Sequence, residues 1–293
     1  MSAIRFFVLT PTYNRAQRVV RAIESVRRQT HPDWEMFVYD DGSSDDTPER
    51  LKRFSVDDRI HVWRDDENRG ANVARNALLE RILERNEPGY IAILDDDDFY
   101  LDDALERVAR EIERSGQRWL IGRCRTAEGQ SLTQLRRSGE IDYVRDHKFG
   151  NRLKGEVAHF FHTGLVGKTR FTTRYRNAEE WYFYYELARR APMWVLDFDA
   201  TVMEYLDDGL SRSQPNAQRK TDLYRLKLER LGPTGPARLR ARLHAKLARQ
   251  HFVAGEREKG RQELRRAFDA HALEPRIYPF FLRSLLPSGL GGF

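Results

Sequence analysis

The chain has 293 residues, about 40% of them hydrophobic, with 51 Lys and Arg against 45 Asp and Glu. That apolar share supports a packed core and excludes a disordered polyelectrolyte, while the length suits one large α/β domain plus a smaller appendage. No run approaches the roughly 18 apolar residues of a membrane span, MSAIRFFVLTPTYN lacks a leader pattern, and the single Cys124 excludes an internal disulfide and a Cys-rich zinc site; the expected compartment is the cytoplasm.

Ile4 to Leu9 is a nearly continuous apolar run ending at Thr10-Pro11, the pattern of a buried parallel strand. Val19, Val20, Ile23 and Val26 then recur at helical spacing until His31-Pro32. Glu35 to Tyr39 is a second strand that runs into Asp40-Asp41-Gly42-Ser43. Ser44 to Thr47 opens a helix with Pro48 in its first turn. Ile60 to Trp63 is a third strand and Val73 to Leu83 a helix. Pro88-Gly89 turns the chain into Tyr90 to Leu94, a strand running into Asp95 to Asp98, and Leu101 to Arg114 is the next helix.

Strands alternating with helices predict a mostly parallel sheet covered on both faces, and such sheets bind ligands beyond the carboxyl ends of their strands. Three polar clusters fall at those ends: Thr12-Tyr13-Asn14, Asp40-Asp41, and Asp95 to Asp98. From Trp119 to Phe171 the pattern gives only scattered strand-like pieces. Ala178 to Arg190 reads as an aromatic-rich helix, and Trp194 to Phe198 and Val202 to Leu206 as two strands. Leu243 to Phe268 resembles one helical hairpin with Gly255 in its turn, too few copies for a solenoid.

The net charge of +6 conceals an asymmetry. From Arg212 onward there are 18 Lys and Arg against 7 Asp and Glu, so the acidic excess lies before that point. A basic tail fits an anionic lipid surface, nucleic acid, the acidic remainder of the chain, or a solvated helical face. The end, Ile277 to Phe293, is apolar and aromatic and fits either docking on the body or an interfacial membrane segment.

Four adjacent aspartates after an apolar strand repel one another and call for a cation or strong donors. Hard oxygen ligands suit Mg²⁺ or Mn²⁺ shared with substrate phosphates, although acids also complement a helix N-terminus. A carboxylate in Asp40-Asp41-Gly42-Ser43 can accept the imide N–H of uracil or thymine while Tyr13 stacks on the ring; the alternative is an ordinary Asp-Gly turn. Arg75, in Ala74-Arg75-Asn76, suits a diphosphate, or else an exposed helix face. Glu179-Glu180 opens the aromatic helix, where a carboxylate serves either as a general base or as a dipole partner. Gly167-Lys168-Thr169 is not a P-loop, because His162 stands where its first Gly is needed, and no G-x-G-x-x-G follows the first strand.

Taken in order, VLTPTYNRAQRVVRAIESVRRQT, FVYDDGSSDDT, ENRGANVARNALLERI and YIAILDDDDFYLDDAL resemble glycosyltransferase family 2, strongly over residues 4 to 110 and more weakly to about 213. The resemblance implies a GT-A fold, a nucleotide-sugar donor, a divalent cation (Mn²⁺ or Mg²⁺) and inversion at the anomeric carbon. It implies base contacts from Thr12, Tyr13 and Asp41, and Arg75 near the nucleotide. The D-x-D pattern falls on Asp95 and Asp97, with Asp97 on the metal and Asp95 or Asp96 near the ribose. Glu179-Glu180 takes the place of the family's Glu-Asp motif, so Glu180, one methylene longer than the usual Asp, is the expected base and Glu179 its alternative. Asp207-Asp208-Gly209-Leu210-Ser211-Arg212 stands where the family often carries a metal- or diphosphate-contacting His.

The expected protein is therefore a GT-A catalytic domain over 1–212 with a basic helical extension over 213–293. Its expected partners are a UDP- or dTDP-sugar, a glycan or lipid-linked acceptor and an anionic membrane surface met peripherally, with no nucleic acid. A nucleotidyltransferase, or a nucleotide- or sugar-binding protein without turnover on the same fold, are the competing classes.

Overall fold

The computed structural model describes residues 4–135, 138–148, 152–174, 180–204 and 217–284, and the chain divides into two compact units, Met1–Leu206 and Asp207–Phe293. The first unit runs β1 (Phe6–Thr12), α1 (Ala16–Arg27), β2 (Trp34–Asp40), α2 (Thr47–Lys52), β3 (Ile60–Arg64), α3 (Ala71–Glu84), β4 (Tyr90–Ile93), β5 (Phe99–Tyr100) and α4 (Ala104–Ser115). It continues through β6 (Trp119–Arg125), β7 (Thr133–Leu135), β8 (Gly139–Ile141), a π-helical turn at Tyr143–Lys148, β9 (Leu153–Gly155), β10 (Val157–His162), α5 (Thr163–Val166), α6 (Glu180–Ala188) and β11 (Met193–Val202).

The large sheet has the order β3-β2-β1-β4-β10-β6-β11-β5, with β8 paired to β11. β1 to β4 are parallel neighbours, as the alternating pattern predicts. β10 lies antiparallel to both β4 and β6, so the parallel sheet is interrupted by a strand from the stretch that periodicity left unresolved. Side chains alternate across β1: Phe6 and Val8 join a cluster with Val19, Ile23 and Val26 of α1 and Leu105 and Val108 of α4. The intervening Phe7 and Leu9 are fully buried too, and α3 packs against β1 and β2. Burial on both faces is why β1 reads as an unbroken apolar run.

β1 continues through Pro11 rather than stopping there. The Leu9 carbonyl accepts from Leu94 on the β4 side and the Thr12 carbonyl from Asp41 on the β2 side. Alternation therefore turns Pro11 toward β4, whose ladder ends at Leu9 and Ile93, so the missing N–H costs no ladder bond. The helix expected from Leu101 begins at Ala104, because Phe99–Tyr100 pairs with β11 first. The strand expected over Trp194 to Phe198 is longer, β11 running from Met193 to Val202 with register shifts against β6 between Val195 and Thr201. Of the strand expected over Val202 to Leu206, Met203 and Glu204 are not in a strand and residues 205–206 lie outside the described residues. An irregular strand breaks the period-two pattern that would have revealed its continuity.

The second unit contains α7 (Ala217–Leu231), α8 (Ala237–Val253), α9 (Arg257–His271), a short 3₁₀ turn at Pro275–Ile277 and α10 (Tyr278–Ser284). The hairpin read around Gly255 is α8 and α9, and Gly255 takes φ +77 in the turn. Ala241, Ala245, Ala248, Phe252, Leu264, Ala267 and Ile277 form its core. A Cβ on Gly260 would lie 2.5 Å from the Phe252 ring, so the close approach of α9 to α8 needs a residue without a side chain. Tyr278 and Phe281 set their rings edge-on to Phe268 of the same unit. Residues 285–293 of the apolar end lie outside the described residues.

Candidate active site

Three strand ends and two helix starts meet at the carboxyl edge of β1, β2 and β4. After β2, Asp40 is fully buried; its Oδ1 accepts from the Ser43 amide at 2.9 Å, and its Oδ2 faces Arg64 Nε at 3.2 Å. Asp41 turns the other way. Its Oδ1 accepts from the Arg69 amide at 2.9 Å and its Oδ2 from the Gly70 amide at 2.7 Å, at the start of α3. The side chain read as a base contact thus also ties the β2 loop to a helix N-terminus, where a carboxylate is favoured. Gly42 makes that approach feasible: it takes φ +74, and a Cβ there would sit 2.5 Å from the Glu67 carbonyl carbon. Asn14, at φ +52, accepts from the Ser44 amide at 2.8 Å and so joins the β1 end to the same loop. Tyr13 beside it is exposed.

The aspartates after β4 are distinct from one another. Thr12 Oγ1 donates to Asp96 Oδ2 at 2.6 Å, and Arg75 donates to Asp95 Oδ1 at 2.7 Å. Arg21 donates to the Asp97 carbonyl at 2.8 Å, pairs with Glu204 and lies over the Phe99 ring at 4.7 Å, which fixes the loop backbone. Burial pushes the Asp96 carboxyl up to about 7, with Asp97 and Asp95 adding to the effect against the Thr12 hydrogen bond. Burial, then Asp95, Asp97 and Asp96, pushes Asp98 up to about 9, and Asp97 rises through burial and Asp95. The loop therefore holds more carboxylates than it has positive partners, and added positive charge would stabilise it.

Asp97 and Asp95 present hard oxygen donors of the kind Mg²⁺ and Mn²⁺ prefer. Among the described residues, no three or more His, Cys, Asp or Glu side chains gather around one point. The residues consequently fit an open cation site, in which one or two carboxylates leave the remaining positions to phosphate oxygens and water.

Arg75 is the hub that spacing alone did not reveal. Its side chain is 9% exposed, and it reaches Asp95, Glu180 at the start of α6, and Asn72 Oδ1 at 3.2 Å. Burial works against its charge, but Asp95 and Glu180 outweigh it and hold the guanidinium pKa above its ordinary value. Arg75 thus joins two acids that are 85 residues apart in the chain. Asn76 both donates to and accepts from the Phe171 backbone at 2.8 Å, and Asn72 donates to the Thr172 carbonyl at 3.0 Å. Phe171 in turn stacks on Phe183 of α6 with centroids 4.0 Å apart. Asn72 and Asn76, one turn apart on α3, thus dock the segment before α6; their i, i+4 spacing beside Arg75 was the available signal. Glu179 lies outside the described residues, as do Asp207 to Arg212.

Residues 7–174, more than half of the chain, match the profile of Glycosyl transferase family 2. The chain is 37% identical over 99 residues to the Escherichia coli UDP-Glc:alpha-D-GlcNAc-diphosphoundecaprenol beta-1,3-glucosyltransferase WfgD, a match covering 34% of this chain and 37% of that one. It spans little more than a third of the length of that relative. Staphylococcus aureus TarS (residues 1–349) in complex with UDP-GlcNAc superimposes with a TM-score of 0.65 at 18% identity, covering 96% of this chain and 80% of that one. The mannosyltransferase PcManGT of Pyrobaculum calidifontis, in complex with GDP-Man and Mn²⁺, gives a TM-score of 0.54 at 16% identity over 95% of this chain and 79% of that one. At these identities the structures show the shared GT-A architecture.

Proposed function

The chain belongs to glycosyl transferase family 2, and on that premise we propose that it transfers a sugar, with inversion, from a UDP- or dTDP-sugar to a hydroxyl of a glycan or lipid-linked glycan. The observation that carries the reading is the convergence of Thr12–Asp96, Arg75–Asp95 and Arg75–Glu180 at one sheet edge. Asp97, with Asp95, would hold a divalent cation there, which neutralises the leaving diphosphate when bound. Thr12, Tyr13 and Asp41 take the base. Asp41 also accepts the Arg69 and Gly70 amides, which fix where its carboxylate stands. Asp95 or Asp96 takes the ribose.

Glu180 is the proposed general base, with Glu179 as the alternative. It accepts the acceptor's hydroxyl proton while that oxygen bonds to the anomeric carbon and the bond to the diphosphate breaks. Arg75 pairs with Glu180 and fixes where its carboxylate stands. The second unit is the proposed peripheral contact with anionic lipid. Its support is the positive excess after Ser211 and the exposed Leu273, Tyr278, Phe281 and Leu282. No helix among the described residues is long and apolar enough to cross a membrane.

The deciding experiment is a donor-hydrolysis screen over UDP-, dTDP- and GDP-sugars with Mn²⁺ and Mg²⁺. Release of a nucleoside diphosphate from a UDP- or dTDP-sugar supports the proposal. Pyrophosphate release from a nucleoside triphosphate instead would make the protein a nucleotidyltransferase. Donor binding without turnover, acceptor present, would make it a binding protein.

A further inference from the structure

One cavity of the first unit lies away from the aspartate loop. It encloses about 600 Å³ between the 168–170 segment and one side of α6, and it is lined by Lys168, Thr169, Arg170, Tyr182, Glu186, Arg189 and Arg190. Four cations thus face a single carboxylate, and that carboxylate is already engaged: Glu186 accepts from Arg189 Nη1 at 3.3 Å. The Arg170 Nε lies 3.6 Å from Glu80, while two carbonyls, of Gly167 and Thr169, orient its guanidinium. Lys168 is exposed and has no ion-pair partner among the described residues.

Arg190 is the most constrained of the four. Its Nε donates to the Glu186 carbonyl at 3.1 Å, its Nη1 to the Val166 carbonyl at 3.3 Å, and its Nη2 to Thr169 Oγ1. All three acceptors are neutral, so the guanidinium is held in place without being neutralised, and two of its five N–H donors remain. Burial destabilises its charged form; Glu186 opposes that, but Arg118 and Arg189 add to it, and the balance holds the guanidinium pKa below its ordinary value. A preset guanidinium fork beside a mobile ammonium suits a phosphate oxygen cluster.

We propose that this groove is a binding site for a phosphate or diphosphate group carried by the acceptor. The acceptor assignment rests on the transferase reading above; the anion site does not. Glu180 opens α6 and Arg189 follows its last turn, so at 1.5 Å per residue the groove extends to about 14 Å from the proposed base. That separation places an anionic group one to three sugar units away from the hydroxyl being glycosylated. A donor diphosphate belongs at the aspartate loop, at the other end of the helix, so the two phosphate-bearing substrates would meet different cations.

The test is calorimetric titration of the full-length protein with linear tripolyphosphate at low ionic strength, with EDTA present so that no cation recruits phosphate to the aspartates. The wild type should bind with one site, and Lys168→Ala should weaken binding about tenfold, the loss of one charge-assisted contact, with unchanged thermal unfolding. Arg190→Lys, which keeps the charge and removes the fork, should also weaken it. Lys168→Ala should leave donor hydrolysis at the wild-type rate. Absent binding by the wild type, or equal binding by Lys168→Ala, overturns the proposal. Failure of donor hydrolysis in the wild type would sink the transferase reading, while a positive titration would still establish the anion site.

Discussion

Acidic side chains are buried in both units, and they are treated in opposite ways. In the second unit Glu274 is fully buried between Arg238 Nε at 2.6 Å and Arg242 Nε at 2.8 Å. Glu263 sits between His244 at 2.7 Å and Arg266 at 2.5 Å, and although burial acts against it, those partners hold its carboxyl below the usual range. In the first unit Asp96, Asp97 and Asp98 are driven the other way by burial and by one another. A carboxylate with a full set of partners stabilises the fold in which it sits. A group of carboxylates short of partners costs stability, and such a shortage marks a site whose missing charge comes from a ligand.

The comparison breaks most sharply at Asp97. Asp97→Ala should reduce transfer at least a thousandfold, since a cation clamp is worth several kcal/mol, while unfolding in urea shows stability unchanged or raised because one repelling charge is gone. Near-normal Mn²⁺-dependent UDP affinity in that variant would remove Asp97 from the cation site. Next, Glu180→Gln should lower turnover by about 10²–10⁴ with donor affinity retained. An active Glu180→Gln beside an inactive Glu179→Gln would move the base by one residue.

The opposite side of the comparison is Glu274→Gln, for which no catalytic effect is expected. It should cost about 3 kcal/mol in stability, because two guanidinium groups are left facing a neutral amide, and a denaturation midpoint equal to wild type would show the pair to be dispensable. Asp41, a paired acid that is also proposed to bind, lies between these cases. Calorimetry with UDP, dTDP, CDP and GDP should show the first two binding about ten- to a hundredfold tighter, the worth of one hydrogen bond to a charged group; equal affinities would leave Asp41 as a purely structural link. The smallest effect is expected at Leu282, which is 63% exposed. Leu282→Glu should weaken co-sedimentation with anionic vesicles without unfolding the protein, and unaltered co-sedimentation would argue against this face. Truncation from residue 275 is a poorer probe, since it removes Ile277, which is fully buried in the core of the unit.

Much of this was legible in the amino-acid sequence. The first four strands, the helices between them and the polar residues at the strand ends follow from local periodicity, because each strand of a covered parallel sheet is apolar along its whole length and polar only where it stops. The α8–α9 hairpin was legible for the same reason, with Gly255 marking its turn. The aromatic-rich helix read over Ala178 to Arg190 is α6, but the stretch from Trp119 to Phe171 was not legible. Its β7, β8 and β9 have three residues each and β10 lies antiparallel within an otherwise parallel run, so little of that stretch carries a sustained period.

The chemistry present is readable from the order of residues alone: carboxylates at the ends of β2 and β4, a threonine and tyrosine at the end of β1, and the ordered motifs of a sugar-transferring family. Which of those charges already have partners emerges only once the chain is folded. Asp41 is engaged by two amides at the start of α3, and Arg75 joins Asp95 to Glu180, whereas Asp96 to Asp98 keep their mutual repulsion. The reason is one of range. Side-chain periodicity is set by neighbours within a few residues, but the free energy of a buried charge depends on every group within several ångströms of it, and the fold brings those groups from anywhere in the chain.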